Sequence, residues 1–295
     1  MRFHKILCPI DFSAGSQYAL RTAARIAAAS EAELVVANVW YMPPMAYAGD
    51  APVPADAVQF LVDDSKRGLA QAERDASSLG ARRVTTALLS GVPWEQLVAL
   101  LGRDETFDLV VMGTHGRTGL SRILLGSVAE QVVRHAPCPV LTVRDRGEAG
   151  TFQHVLCPVD FSDSSRRAVE LAGSIAAPGG AGIALLHVLE LPVAYSGELK
   201  IPGLVEDLDR RAAGMLERWA AELRAKVSVP VVARSRIGRP GAQILAAQDG
   251  DPSFDLVVMG GHGRTGLPRL LLGSVAEQVI RHASCPVLVA RSRMG

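Results

Sequence analysis

The chain has no excess of either charge: 31 Lys+Arg stand against 30 Asp+Glu in 295 residues. Cut at residue 147, the first part carries 15 basic and 15 acidic side chains and the second 16 and 15. Neither half therefore offers the basic surface that a nucleic-acid binder working by phosphate neutralisation requires. Long apolar runs are missing as well. No stretch approaches about 18 uninterrupted apolar residues, and the opening MRFHKILCPIDFS lacks an apolar core of signal-peptide length. The expectation is a cytoplasmic protein with no membrane contact. Cysteine is scarce, and the four present are one pair written twice: Cys8 and Cys157 sit in Leu-Cys-Pro, while Cys138 and Cys285 each precede proline. That pattern predicts buried thiols in a reducing compartment, and excludes a disulfide framework. Lysine is equally rare, at positions 5, 66, 200 and 226 alone.

What the chain does have is a duplication. Residues 108–144 overlay 255–291 at an offset of 147 with 30 of 37 positions identical, and HKILCPIDFS at 4–13 matches QHVLCPVDFS at 153–162 at an offset of 149. Two copies of one domain of about 145 residues follow, 1–146 and 150–295, each long enough to bury its own core.

Within a copy, short apolar runs alternate with longer helical patterns. Lys5–Ile10, Glu33–Val39, Val84–Leu89, Asp108–Gly113 and Val140–Arg144 read as strands. Between them fall helices at Ala14–Ser30, at about Asp56–Leu79, from Pro93, and from Val128 to about His135. In the second copy Val205, Leu208, Ala212, Met215, Leu216, Trp219 and Leu223 fall on one helical stripe. The order βαβαβαβαβ predicts right-handed crossovers and an α/β fold: two tandem doubly wound domains, each a five-stranded parallel sheet with helices on both faces. Ligands of such sheets sit at the carboxyl ends of the strands, where the winding reverses.

The residues that carry chemistry lie there. Gly113-Thr-His-Gly116 follows a strand, nine residues intervene, and Gly126-Ser127 opens a helix; the second copy repeats this as Gly260, Gly263 and Gly273-Ser274. Glycines let backbone N–H groups turn inward and the helix adds its positive end, which makes a cradle for phosphate oxygens. A Walker loop is excluded because no lysine lies in either loop, and the glycines are not spaced as in a dinucleotide fingerprint. The G-x₂-G-x₉-G-[ST] spacing, the first strand ending in Pro-x-Asp and the closing Cys-Pro-Val strand resemble the universal stress proteins in their tandem form.

That resemblance implies a Rossmann-like domain that binds ATP, with Mg²⁺ as a possible companion. By motif position it puts Asp11 at the adenine or ribose end, beside Pro9, Ile10 and Val39. Met112, Gly113, His115, Gly116, Arg117, Gly126, Ser127 and Val128 would line the ribose and phosphates. The second set is Pro158, Val159, Asp160, Val188, Met259, Gly260, His262, Gly263, Arg264, Gly273, Ser274 and Val275. Departures are Gly261 for Thr114, Pro268 for Ser121, and Asn38 where the second copy has His187. The resemblance also implies an intramolecular pseudo-dimer of the two domains, a possible homodimer of the chain, and a protein partner that the sequence does not name.

Structural explanations compete. Ser127 with Glu130 and Ser274 with Glu277 fit a capping box. Asp11 and Asp160 fit the start of the first helix. His115 and His262 fit exposed loop histidines, and Arg117 and Arg264 solvated loop charges. Three function classes remain open. The first is an ATP-binding stress-response regulator whose proline-bearing loops 41–57 and 190–203 act as lids. The second is a slow ATPase or adenylate-forming enzyme using His115 or His262. The third is an interaction scaffold with structural nucleotide sites. A glycine cradle without a loop lysine, a carboxylate pair or a nucleophile beside a base points to the first.

Overall fold

The computed structural model describes residues 3–41, 55–114, 125–144, 150–191, 203–250, 253–263 and 272–291. They divide between Thr151 and Phe152 into two compact units. The first unit runs β1 (Lys5–Pro9), α1 (Ala14–Ser30), β2 (Glu33–Trp40), α2 (Ala55–Ser78), β3 (Arg83–Ser90), α3 (Pro93–Arg103), β4 (Leu109–Gly113), α4 (Ser127–His135) and β5 (Val140–Val143). The second repeats it as β6 (His154–Pro158), α5 (Asp163–Ala176), β7 (Gly182–Leu189), α6 (Leu204–Arg224), β8 (Val231–Ile237), α7 (Pro240–Gln248), β9 (Leu256–Gly260), α8 (Ser274–His282) and β10 (Val287–Ala290). A 3₁₀ turn, Ala177–Gly179, extends α5.

Each unit is a five-stranded parallel sheet, ordered β3-β2-β1-β4-β5 in the first and β8-β7-β6-β9-β10 in the second. Helices α1 and α2 pack together, as do α3 and α4, which is what right-handed crossovers require when winding runs one way from β1 to β3 and the other way from β4 to β5. The central strands are apolar throughout because both faces are covered: Leu109, Val110, Val111 and Met112 are all buried, and so are Leu256 to Met259. The outer strands β3 and β8 are half-buried to exposed along most of their length, Val231 being the one buried position between them.

Helix boundaries follow local chemistry. Ser13 caps α1 by accepting the Ser16 N–H, and Ser162 caps α5 by accepting that of Ser165. Pro93 and Pro240 open α3 and α7 at positions where no N–H is needed. At the amino ends of the strands, the Asp108 carboxylate accepts the backbone N–H of His4 at 2.7 Å and of Lys5 at 3.2 Å. Asp255 likewise takes Gln153 at 2.7 Å and His154 at 3.0 Å. These repeated aspartates clamp the first strand of each domain to its central neighbour, and the fourth strand starts at Leu109, one residue later than the expected Asp108. Lys5 adds ion pairs to Glu33 and Asp104 at the same end.

The stripe expected along α6 is narrower than the sequence period suggests. Ala212, Leu216, Ala220 and Leu223 are buried; Leu208 and Met215 are each 37% exposed. Small Ala212 and Ala220 bring the helix close to the sheet along one line, leaving the flanking large residues outside it.

Candidate functional site

In both domains the winding reverses between the first and fourth strands, and their carboxyl ends carry the predicted residues. Pro9 ends β1, with Ile10 and Asp11 after it; Gly113 ends β4 beside them. Pro158, Val159, Asp160 and Gly260 repeat the arrangement. Val39 and Val188 lie half-buried near the ends of β2 and β7. His115, Gly116, Arg117 and Arg264 fall outside the described residues, as does most of the two proline-bearing loops.

Asp11 and Asp160 do serve the first helix. One oxygen, Oδ1, accepts the N–H of Ser13 at 3.1 Å and its hydroxyl at 2.6 Å; in the second domain Ser162 gives the same pair at 3.0 and 2.6 Å. The intervening Phe12 and Phe161 sit at φ of 68° and 65°, so the chain makes a tight turn around each carboxylate. The second oxygen does something else. A Cβ built on Gly263 would stand 3.0 Å from Asp160 Oδ2. The second motif glycine thus lies directly against the carboxylate that the sequence places at the ribose end.

The first motif glycine has a different reason to be glycine. Gly113 and Gly260 lie outside the left-handed region, but a Cβ on Gly113 would meet the carbonyl carbon and oxygen of Gly15 at 3.0 Å. On Gly260 it would meet Ser164 Oγ at 2.7 Å and Ser164 C and Cβ at 3.0 Å. These glycines let the first helix dock onto the end of the fourth strand. The third glycine closes the loop: Gly126 donates its N–H to the Thr114 carbonyl at 2.7 Å, and Gly273 to that of Gly261 at 2.8 Å. Thr114 and Gly261 are therefore interchangeable in backbone role, since each also donates its N–H to the last strand, to Val143 and Ala290.

The capping box is not formed. The N-cap is Gly126 in α4 and Gly273 in α8, neither helix has a side-chain cap, and Ser127 and Ser274 are exposed in the first turn. Glu130 reaches forward to Arg134 at 2.9 Å, and Glu277 to Arg281 at 3.0 Å. The i,i+4 arginine captures the carboxylate that a box would have used. The N–H groups of residues 127–129 and 274–276 have no acceptor among the described residues, as a helix start leaves them. Val128 and Val275 are half-buried there, while Met112 and Met259 are buried inside their strands.

Asn38 and His187, which look like a departure between copies, do one job. Asn38 Nδ2 donates to the Ile10 carbonyl at 2.8 Å, and His187 Nδ1 to that of Val159 at 2.7 Å. Each ties the end of the second strand to the Pro-x-Asp turn. The serines of that turn act as a unit, and the Asp-x-Ser-x-x-Ser spacing present in both copies is its signal in the sequence. All four cysteines are buried and none is in a disulfide. Burial raises the thiols of Cys8 and Cys157, and raises that of Cys285 to about 12. Burial of this kind suits packing residues more than reactive thiols.

Two doubly wound α/β domains, each with a glycine loop, a carboxylate and a helix start at the point of reversal, define a tandem protein with two equivalent ligand-site candidates. The universal stress protein family pattern matches residues 2–144 and again 151–291, and the chain belongs to that family. A universal stress protein of Mycobacterium tuberculosis is 32% identical over 312 residues, covering 98% of this chain and 97% of its own. One from Methanocaldococcus jannaschii is 36% identical over 147 residues, covering 48% of this chain and 82% of its own. A universal stress protein structure from Archaeoglobus fulgidus aligns with a TM-score of 0.74 at 23% identity, over 99% of both chains, and so shares the fold.

Proposed function

We propose that the chain is a regulatory protein that binds ATP at two sites, one per domain, and responds to stress through nucleotide occupancy. The observation that carries this reading is the second domain's closed loop. Gly263 lies against Asp160, Gly273 is bonded back to Gly261, and the bare N–H groups of Ser274, Val275 and Ala276 open α8 beside them. A carboxylate suits ribose hydroxyls, while the loop glycines and helix start suit phosphate oxygens. Val188 would flank the base. The first domain would use Asp11, Val39, Gly116, Gly126 and Ser127 in the same roles, with His115 and Arg117 toward the phosphates there and His262 and Arg264 in the second domain. Mg²⁺ would arrive on the triphosphate, because no group of three His, Cys, Asp or Glu able to hold a metal occurs among the described residues. The capping-box failure favours a ligand role for Ser127 and Ser274, whose hydroxyls cap no backbone N–H among the described residues.

Isothermal titration with ATP tests the reading. Wild type is expected to bind two equivalents, and Gly263→Val, whose side chain would enter the space before Asp160, to retain one. Two undiminished sites in that variant would defeat it.

A further inference from the structure

Besides Asn38 and His187, which do the same job, the two sites differ at Ser164, a buried position that the glycine motif does not include. Ser164, in the first turn of α5, is 7% exposed, and its Oγ lies at the end of β9, 2.7 Å from where a Gly260 Cβ would stand. It accepts the backbone N–H of His262, inside the glycine loop, at 3.5 Å. A serine hydroxyl has a proton to give as well as lone pairs to receive, and among the described residues this proton has no acceptor. Hydroxyls so buried are rarely left with an unspent donor. The equivalent residue of the first domain, at the offset of 149, is Gly15, which lies equally close to Gly113 but has no side chain.

We infer that Ser164 is a ligand-contacting residue of the second site: its hydroxyl receives the His262 N–H and donates to an anionic oxygen of the bound nucleotide, a contact the first site lacks. The inference rests on the ATP-site reading above and adds a difference between the sites. The loop N–H polarises the hydroxyl, which strengthens its donation to an anion. The second domain should therefore hold phosphate-bearing ligands more tightly than the first. The two should treat the uncharged nucleoside alike.

Equilibrium dialysis of the full chain against labelled ATP, and separately against adenosine, tests this with Ser164→Ala, alongside thermal unfolding. Ser164→Gly, which copies the first domain's residue, is the second variant in case alanine disturbs the fold. Two ATP sites of unequal affinity are expected in wild type. In either variant the tighter one should weaken roughly tenfold, with adenosine binding and unfolding temperature unchanged. Unaltered ATP affinities would remove the hydroxyl from the ligand, and equal weakening of ATP and adenosine would reduce it to a support for the loop. A wild-type chain that binds no ATP would overturn the site reading itself, and this inference with it.

Discussion

Replacing Gly113 with alanine separates two meanings of a motif glycine. Its φ is not positive, so alanine meets no conformational penalty; the obstacle is space. The new Cβ would stand 3.0 Å from the Gly15 carbonyl carbon and oxygen and 3.4 Å from the Ser16 nitrogen, all of it backbone. No side chain can swing away, so the start of α1 must shift by a few tenths of an ångström. Overpacking of this kind costs about 1–3 kcal/mol, offset by about 0.4–1 kcal/mol from the stiffer unfolded chain. A net loss of about 1–2 kcal/mol corresponds to a fall in Tm of roughly 3–8 °C for a domain of this size. Differential scanning calorimetry is the assay, because a two-domain chain need not unfold in one transition. Gly260→Ala should lower stability too, with Ser164 as the obstruction. An unchanged Tm in Gly113→Ala, accompanied by lost ATP binding, would refute the packing argument and make this glycine a ligand contact.

Three further outcomes follow from the same geometry. Asp255→Ala leaves the N–H groups of Gln153 and His154 without their charged acceptor; it should cost about 1–2 kcal/mol by urea unfolding, while ATP affinity stays at the wild-type value. Asp104 is held at about 2, chiefly by the hydroxyl and N–H of Thr106 and then by Lys5. Because the folded value lies below the ordinary aspartate value of 3.8, its contribution is complete above about pH 4 and is lost as pH falls toward 2. Thr106→Ala should therefore move acid unfolding, followed by circular dichroism, to higher pH; an unmoved midpoint would contradict that cause. All four cysteines are buried, and burial raises the thiols of Cys8, Cys157 and Cys285, so the folded chain should resist a thiol reagent at pH 8 and all four should react in urea. Fast labelling of the folded chain would show an open path to one of them.

The architecture was legible because the signals were redundant. Strands such as Leu109–Gly113 are apolar throughout, as burial on both faces demands, and the second copy repeats each of them. The reversal between β1 and β4, and with it the place of Asp11 and Gly113, followed from the element order. What escaped was set by competition between partners, some local and some distant in sequence. The Ser127-x-x-Glu130 spacing reads as a capping box, but Glu130 also stands i,i+4 from Arg134, and that pairing wins and leaves the cap unmade. Asn38 and His187 look unlike until both are seen donating to the carbonyl before the aspartate. Gly113 reads as a cradle glycine, while its space is taken by a helix almost a hundred residues earlier. The α6 stripe was drawn too wide because periodicity marks the apolar side of a helix, whereas the depth of burial depends on how closely Ala212 and Ala220 allow it to approach.

The central claim is two adenine-nucleotide sites in one chain, and the most direct measurement is to count them. The freshly purified protein is dialysed against ATP and denatured, and the nucleotide retained beyond the dialysate is identified and quantified by chromatography and mass spectrometry. The account predicts ATP approaching two per chain. Protein that retains none, or one that selects a nucleotide lacking adenine, would contradict it.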